Sequence, residues 1–154
     1  MKMLTGMLLG LLTLSASAQP DQKQAVRQTI DRFFEGYHAR DTALMNTVLG
    51  KGVVLQTVGR APDGKPALRT EVMSDFIASI ASIPDTVQLR EKLLDYRIQI
   101  DGDMAHAWTP YEFYLHGAFH HCGVNSFQLF HDGEAWKIIY IIDTRRREGC
   151  REEE

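Results

Sequence analysis

The stretch that decides the fold runs from Asp103 to Cys150 and reads DMAHAWTPYEFYLHGAFHHCGVNSFQLFHDGEAWKIIYIIDTRRREGC. It is rich in β-branched and aromatic residues that alternate with polar ones, the mark of strands rather than helices. Two tight turns divide it, at His116-Gly117 and at Asp132-Gly133, so it predicts three consecutive antiparallel strands. Along the first, Ala105, Ala107, Thr109, Tyr111, Phe113 and Leu115 share one face, while His106, Trp108, Glu112 and Tyr114 share the other. Pro110 interrupts that strand and predicts a bulge or an edge, because proline cannot donate to a ladder. Along the second, His121, Asn125, Phe127 and Leu129 lie on one side, and Cys122, Val124, Ser126, Gln128 and Phe130 on the other. With Asp132-Gly133 as a two-residue loop, Leu129 falls opposite Trp136, Phe127 opposite Ile138, Asn125 opposite Tyr140 and His121 opposite Thr144. Phe130 and Val124, with Ile139 and Ile141, make the second face apolar as well, which predicts cover on both sides of the sheet and a homodimer through the outer one.

Outward from this block, the preceding chain is helical. Ala25, Val26, Ile30, Phe33, Phe34 and Tyr37 recur at helical spacing between Pro20 and Ala39. Asp41 is placed to cap a short helix over Thr42 to Leu49. Val53 to Val58 is a β-branched strand, residues 59 to 68 (GRAPDGKPAL) read as a loop, and Val72, Phe76, Ile77, Ile80 and Ile83 mark a third helix ending before Pro84. Leu89 to Ile100 reads as one long strand.

The chain of 154 residues is 44% hydrophobic and 24% charged, with a net charge of -3, so it is an ordinary globular domain without the basic surface that nucleic acid demands. Residues 1–18 read as a signal peptide: Lys2 is the positive start, Met3 to Leu14 the apolar run and Ala16-Ser17-Ala18 the small-residue end, with cleavage near Ala18/Gln19. The run is too short to span a bilayer, which predicts a periplasmic or secreted chain with no membrane contact after processing, its domain covering 19–154. In an oxidising compartment Cys122 and Cys150 are expected to pair; free, Cys122 beside His120 or His121 would instead be a candidate nucleophile. The run Arg145-Arg146-Arg147-Glu148, with Arg151 to Glu154 behind it, largely cancels its own charge and reads as a solvated tail.

The order of elements (helix, short helix, strand, helix, then long strands ending in Asp132-Gly-Glu-Ala-Trp-Lys-Ile138) resembles the nuclear transport factor 2-like superfamily, in its SnoaL-like and lumazine-binding-like reach. Tyr111-Glu112-Phe113, His121-Cys122-Gly123, Asp143-Thr144-Arg145 and Gly149-Cys150 are similar to a bacterial exported subgroup. The resemblance implies an α+β fold, a curved, mostly antiparallel sheet wrapped around three helices into a cone, with an apolar pocket at its open end. Isomerases, dehydratases and hydrolases share this fold with noncatalytic members, so the reaction does not follow from it. The ketosteroid isomerases of the superfamily use a helix tyrosine and a strand aspartate, and those positions fall here on Phe33 and Thr57, which can neither donate nor accept the proton.

Within such a cone the predicted ligand set is Tyr111, Phe113, His121, Asn125 and Tyr140, with His121 as the candidate acid or base. The competing reading makes His121 a satisfied interior histidine and leaves Asn125 and the phenols bonded to backbone or to one another. The expected partner is a small, mostly apolar molecule, with no cofactor and no metal. His120 and His121 should point to opposite faces, and their spacing matches no zinc pattern. Asp143-Thr144-Arg145 reads as an end-of-sheet salt bridge rather than a site. Glu112 needs a partner if its face is buried.

Overall fold

The computed structural model describes residues 22–150. The predicted signal peptide, 1–18, lies outside the described residues. The elements are α1 (Gln22–Ala39), α2 (Thr42–Val48), β1 (Leu49–Arg60), β2 (Pro66–Val72), α3 (Met73–Ala81), β3 (Leu89–Leu93), β4 (Arg97–Asp101), β5 (Met104–Leu115), β6 (Ala118–His131) and β7 (Trp136–Arg146). The strands form one seven-stranded sheet in the order β2-β1-β7-β6-β5-β3, with β4 following β3 along the same edge of β5. All pairs are antiparallel except β1 with β7, so the fold is α+β with helices on the inner face of a curved sheet.

The core sits between α1 and that inner face. Val26, Ile30, Phe33 and Phe34 of α1 pack with Ala105, Ala107, Phe127, Leu129, Ile138 and Ile141 in one buried apolar cluster. Removing this surface from water is the main force that bends the sheet around the helix. The end of α1 turns sharply into α2, where Asp41 Oδ1 accepts the Leu44 N-H at 2.9 Å and caps the short helix as its sequence predicts. Gly36 makes that corner passable: a Cβ there would lie 2.7 Å from the Met45 side chain and 2.9 Å from the Asp41 carbonyl.

Three local expectations change. Residues 59–68 are not all loop: Pro66–Val72 pairs with β1 as a hairpin strand, from Arg60↔Pro66 to Val54↔Val72. The long strand predicted over Leu89 to Ile100 is two strands, interrupted at residues 94–96 opposite Thr109 and Pro110. There the Leu94 N-H still reaches the Pro110 carbonyl at 2.9 Å, so the proline lies where the edge strand breaks, as a residue lacking a ladder donor should.

The third change matters most. The β6–β7 loop is four residues, 132–135, because Asp132 Oδ1 accepts the backbone N-H groups of both Glu134 (2.9 Å) and Ala135 (2.8 Å) and so closes a wider turn than Asp132-Gly133 alone. Leu129 therefore pairs with Ile138 instead of Trp136. A bulge then skips Ile139, so that Gln128 pairs with Tyr140, Phe127 with Ile141 and Asn125 with Asp143. The wider loop shifts the register by an even number and preserves the faces; the bulge adds one and inverts them. Beyond it Ile141 and Asp143 are buried on the inner side, while Tyr140 faces outward with Gln128.

The turn at His116-Gly117 is as predicted, both residues taking positive φ (51° and 77°) between paired Leu115 and Ala118. A second bulge nearby skips His120, since Phe113 pairs with His121 and Tyr114 with Phe119. Cys122 and Cys150 form a disulfide that straps the end of the chain over the outer face of the sheet. No helix among the described residues is long and apolar enough to cross a membrane.

Candidate functional site

The mouth of the cone is built by alternate residues of four strands and the last turn of α1. Tyr111 on β5 pairs with Gly123 on β6, which pairs with Arg145 on β7; one step deeper Thr109, Asn125, Asp143 and Thr57 form the next row across β5, β6, β7 and β1. Glu91 enters from β3, where it pairs with Phe113. These rows enclose a cavity of about 60 Å³. Phe33, Phe34, Leu55, Phe76, Phe127 and Ile141 make its apolar wall, and Tyr37, Glu91, Asn125, Asp143 and Arg145 its polar rim. A drug-sized ligand needs roughly 300 Å³ or more, so this half-open hollow itself seats about four or five heavy atoms.

The rim is held by a connected set of hydrogen bonds. The Asn125 side-chain amide donates to Glu91 Oε1 at 2.7 Å. Arg145 Nε donates to Asp143 Oδ2 at 2.7 Å, and the Tyr111 hydroxyl donates to the Thr144 carbonyl at 2.9 Å and reaches the same Asp143 oxygen at 3.4 Å. The Tyr111 ring can lie across β6 only because residue 123 is glycine: a Cβ there would sit 2.8 Å from the ring and 1.8 Å from the Thr144 carbonyl oxygen. No donor among the described residues reaches Asp143 Oδ1, although this oxygen is buried and its residue is 6% exposed.

Burial dominates the electrostatics. It pushes the Glu91 carboxyl up to about 7 from an ordinary value near 4.5; Asp143 raises it further, while the Asn125 hydrogen bond and Arg145 pull it back. Near neutral pH Glu91 therefore exchanges its proton. Burial, then the charges of Glu91 and Asp143, push the Tyr37 phenol above its usual range, and the same causes hold Tyr111 protonated. The strand carrying Glu91 is fixed from behind: the Glu91 backbone N-H donates to His38 Nε2 at 2.8 Å. Burial, aided by the Arg90 charge, lowers the pKa of His38 and keeps that nitrogen free to accept.

Of the residues predicted for the pocket, only Asn125 lines the cavity. Tyr111 is 1% exposed and buttresses Asp143 from beneath. Phe113 and His121 stack on one another outside the lining, their ring centroids 4.9 Å apart, and His121 also meets the edge of Tyr111 at 5.7 Å. Burial and then the Arg145 charge push His121 down to about 4, so it is a neutral imidazole at physiological pH. Tyr140 is on the other face, its hydroxyl donating to Gln56 Oε1. The alternation expected for His120 and His121 fails at the bulge, where their Nδ1 atoms approach to 2.8 Å. No group of three or more metal-ligating side chains occurs among the described residues. Glu112, 3% exposed on the outer face, accepts from the Tyr114 hydroxyl at 2.8 Å and lies 3.8 Å from Lys92 Nζ.

Glu91, Asp143, Arg145 and Tyr37 were not legible as a site. Asp143 and Arg145 do stand two apart on one strand, the spacing that puts both on one face, but the face was inverted by the unseen bulge. Glu91 alternates with Leu89 and Leu93, an apolar-flanked acid that periodicity alone could have flagged.

No protein-family model matches the sequence, and no curated protein matches it either. Solved structures do match the fold. An NTF2-like protein from Cytophaga hutchinsonii superposes with a TM-score of 0.64 at 17% identity, covering 82% of this chain and 99% of that one. An NTF2-like protein of unknown function from Shewanella baltica gives 0.60 at 15% identity over 82% and 95% of the two chains. A protein of unknown function with a cystatin-like fold from Nostoc punctiforme gives 0.63 at 13% identity over 83% and 92%. The fold is thus that of the NTF2-like proteins, with the cystatin-like arrangement of sheet and helix.

Proposed function

We propose that this chain is an exported domain that binds a small molecule of a few heavy atoms in the mouth of its cone. The observation that carries this reading is the composition of the cavity: an apolar wall closed on one side by a hydrogen-bonded polar rim that includes one buried acceptor with no donor among the described residues. The small volume and the polar rim favour a compact, partly polar ligand over the mostly apolar one that the sequence points to. Replacing Ile141 with Phe adds bulk to the wall while leaving the rim in place. Native mass spectrometry of the protein purified from its host should find a co-purifying small molecule that this variant lacks. A molecule retained equally by the variant rules the cone out as its seat.

A second reading is favoured by Glu91. A carboxyl poised near 7 beside a phenol and an Asp-Arg pair is a candidate general acid or base, better matched to proton transfer at neutral pH than His121. Once a turnover is found, Glu91→Gln should abolish it and His121→Asn should leave it within a few fold; the opposite pattern returns the role to His121.

Export is supported by the disulfide, since such bonds persist in oxidising compartments. Self-association is supported by the outer face of the sheet, where Met104 (57% exposed), Trp108 (42%), Phe130 (49%) and Ile139 (38%) stand in the open. We infer a homodimer through this face, and Phe130→Asp should shift the sedimentation coefficient to that of a monomer; an unchanged value rules this face out.

A further inference from the structure

The two charges of the Asp143-Arg145 pair differ in what a ligand can reach. Asp143 is closed off: Oδ1 is buried without a donor among the described residues, and Oδ2 already accepts from Arg145 Nε at 2.7 Å and the Tyr111 hydroxyl at 3.4 Å. Arg145 is open. It lines the same cavity, yet its side chain is 53% exposed against 8% for that of Asp143. Of its five N-H donors, the one on Nε goes to Asp143, and one on Nη2 makes only a long 3.5 Å contact with Thr57 Oγ1. Nη1 meets no acceptor among the described residues. The bond to Asp143 on β7 and the reach to Thr57 on β1 lay the guanidinium over the inner face of the sheet. From there its charge pulls down the pKa of both Tyr37 on α1 and Glu91 on β3, which line the cavity from its other sides. Asp143 thus acts as a positioning residue that holds Nε and leaves the Nη1-Nη2 fork unspent.

Charge narrows the class. A ligand cation finds no carboxylate to meet at Asp143, where one oxygen is sealed and the other is bonded. Glu91 holds its proton up to about 7, so below neutrality Arg145 is the one lining group that is both ionised and open. Arg147 adds a second positive charge beyond the rim, where His121 feels it together with that of Arg145. A planar guanidinium presents paired N-H donors at the spacing of the two oxygens of a carboxylate. Phe33, Phe127 and Ile141 offer the rest of the ligand only apolar contact. Resting on the reading of the cavity as a ligand site, we propose that the cone selects a small carboxylate, its oxygens on the Nη1 and Nη2 donors of Arg145 at the rim and its short alkyl part in the hollow.

Three planar probes of equal heavy-atom count test this: propanoate, an anion; propanamide, uncharged; and propanamidine, a cation. Each is titrated at constant ionic strength and at about pH 6, where Glu91 keeps its proton, into isotope-labelled protein while the Ile141 methyl and Asn125 side-chain amide resonances are followed. Propanoate should move these signals saturably and about tenfold more tightly than propanamide, the scale of one charge-assisted hydrogen bond, with propanamidine weakest. Arg145→Lys keeps a positive charge beside Asp143 but loses the fork, and should bring propanoate to within about threefold of propanamide. Arg147→Gln removes an exposed charge that is not on the lining, and should leave all three affinities within about twofold of wild type. If propanamide or propanamidine binds wild type as tightly as propanoate, with the same signals moving, the carboxylate rule is overturned and the cone remains a ligand site. If no probe moves these signals saturably, the proposal and the ligand-site reading fall together. A preference that persists unchanged in Arg145→Lys, or is lost equally in Arg147→Gln, removes the Arg145 fork as its cause. Should Arg145→Lys not fold, the wild-type comparison and Arg147→Gln decide between them.

Discussion

At the closed end of the cone Leu129 and Ile138 pair across β6 and β7 and are fully buried with Val26 and Ile30 in one apolar cluster. At the mouth the same two strands carry Asn125 and Asp143, and their neighbours bring Glu91, Tyr111 and Arg145. The first region satisfies every rule of core packing. The second buries one carboxylate and half-buries another, leaves one oxygen without a donor among the described residues and needs a glycine to let a tyrosine ring pass. Stability is concentrated where the alternation is purely apolar, and the mouth draws on it to hold groups that would otherwise seek water.

The largest test of this contrast is Phe127→Ala, at the boundary between the two regions and 0% exposed. Losing the ring should cost about 3–5 kcal/mol in urea denaturation, as for other buried aromatics. A loss below about 1 kcal/mol would show that the wall is not part of the stabilising core. Next comes the strap outside the cone. Removing the 28-residue-separated disulfide by Cys122→Ser with Cys150→Ser should cost about 3 kcal/mol through the freed unfolded chain, without moving the NMR signals of the Asn125 side-chain amide or the Ile141 methyls. Movement of those signals would mean that the outer strap also shapes the mouth.

Glu91→Gln isolates the cost of charge at the mouth. Because the folded carboxyl holds its proton up to about 7, the folded state binds more protons than the unfolded chain between about 4.5 and 7, and stability falls as pH rises through that window. The glutamine should remove that fall and stabilise the protein at pH 8 by up to roughly 3 kcal/mol. His121 has the opposite sign: lowered from 6.5 to about 4, it makes the folded state lose stability as pH falls through that interval. The two slopes oppose one another where they overlap in wild type. In Glu91→Gln the His121 slope, joined by that of His38, is no longer opposed by Glu91, so the variant should become visibly acid-sensitive in pH-dependent melting. The smallest effect is expected for His38→Ala, which deprives the Glu91 N-H of its acceptor and should cost about 1–2 kcal/mol, with faster amide exchange confined to β3.

The fold was legible because long strands, glycine turns and amphipathic helices each announce their own periodicity, and α1, the Asp41 cap and the His116-Gly117 turn lie where the residues point. The disulfide follows from two cysteines in one small domain. The candidate site was mostly illegible for one reason. Side-chain facing in a strand is counted from a turn, and the count failed twice, at Ile139 and at His120, where one residue drops out of the ladder. Along β6 the alternation runs unbroken from Leu129 to Asn125, so Asn125 keeps the side counted for it; in β7 Tyr140 and Ile141 lie beyond the Ile139 bulge and face opposite to the sides counted for them, while Asp143 and Arg145 form the ion pair their spacing suggests. Pairing signals for a bulge are weak, since neither isoleucine nor histidine is special at such a position.

That missing rung at Ile139 also defines a lever. Were Ile139 to take its place in the ladder instead of standing out of it, Tyr140, Ile142 and Thr144 would turn toward the hollow and Ile141, Asp143 and Arg145 outward. A protein of this architecture can exchange its whole recognition alphabet on one strand by taking in or releasing a bulge, without a change of length.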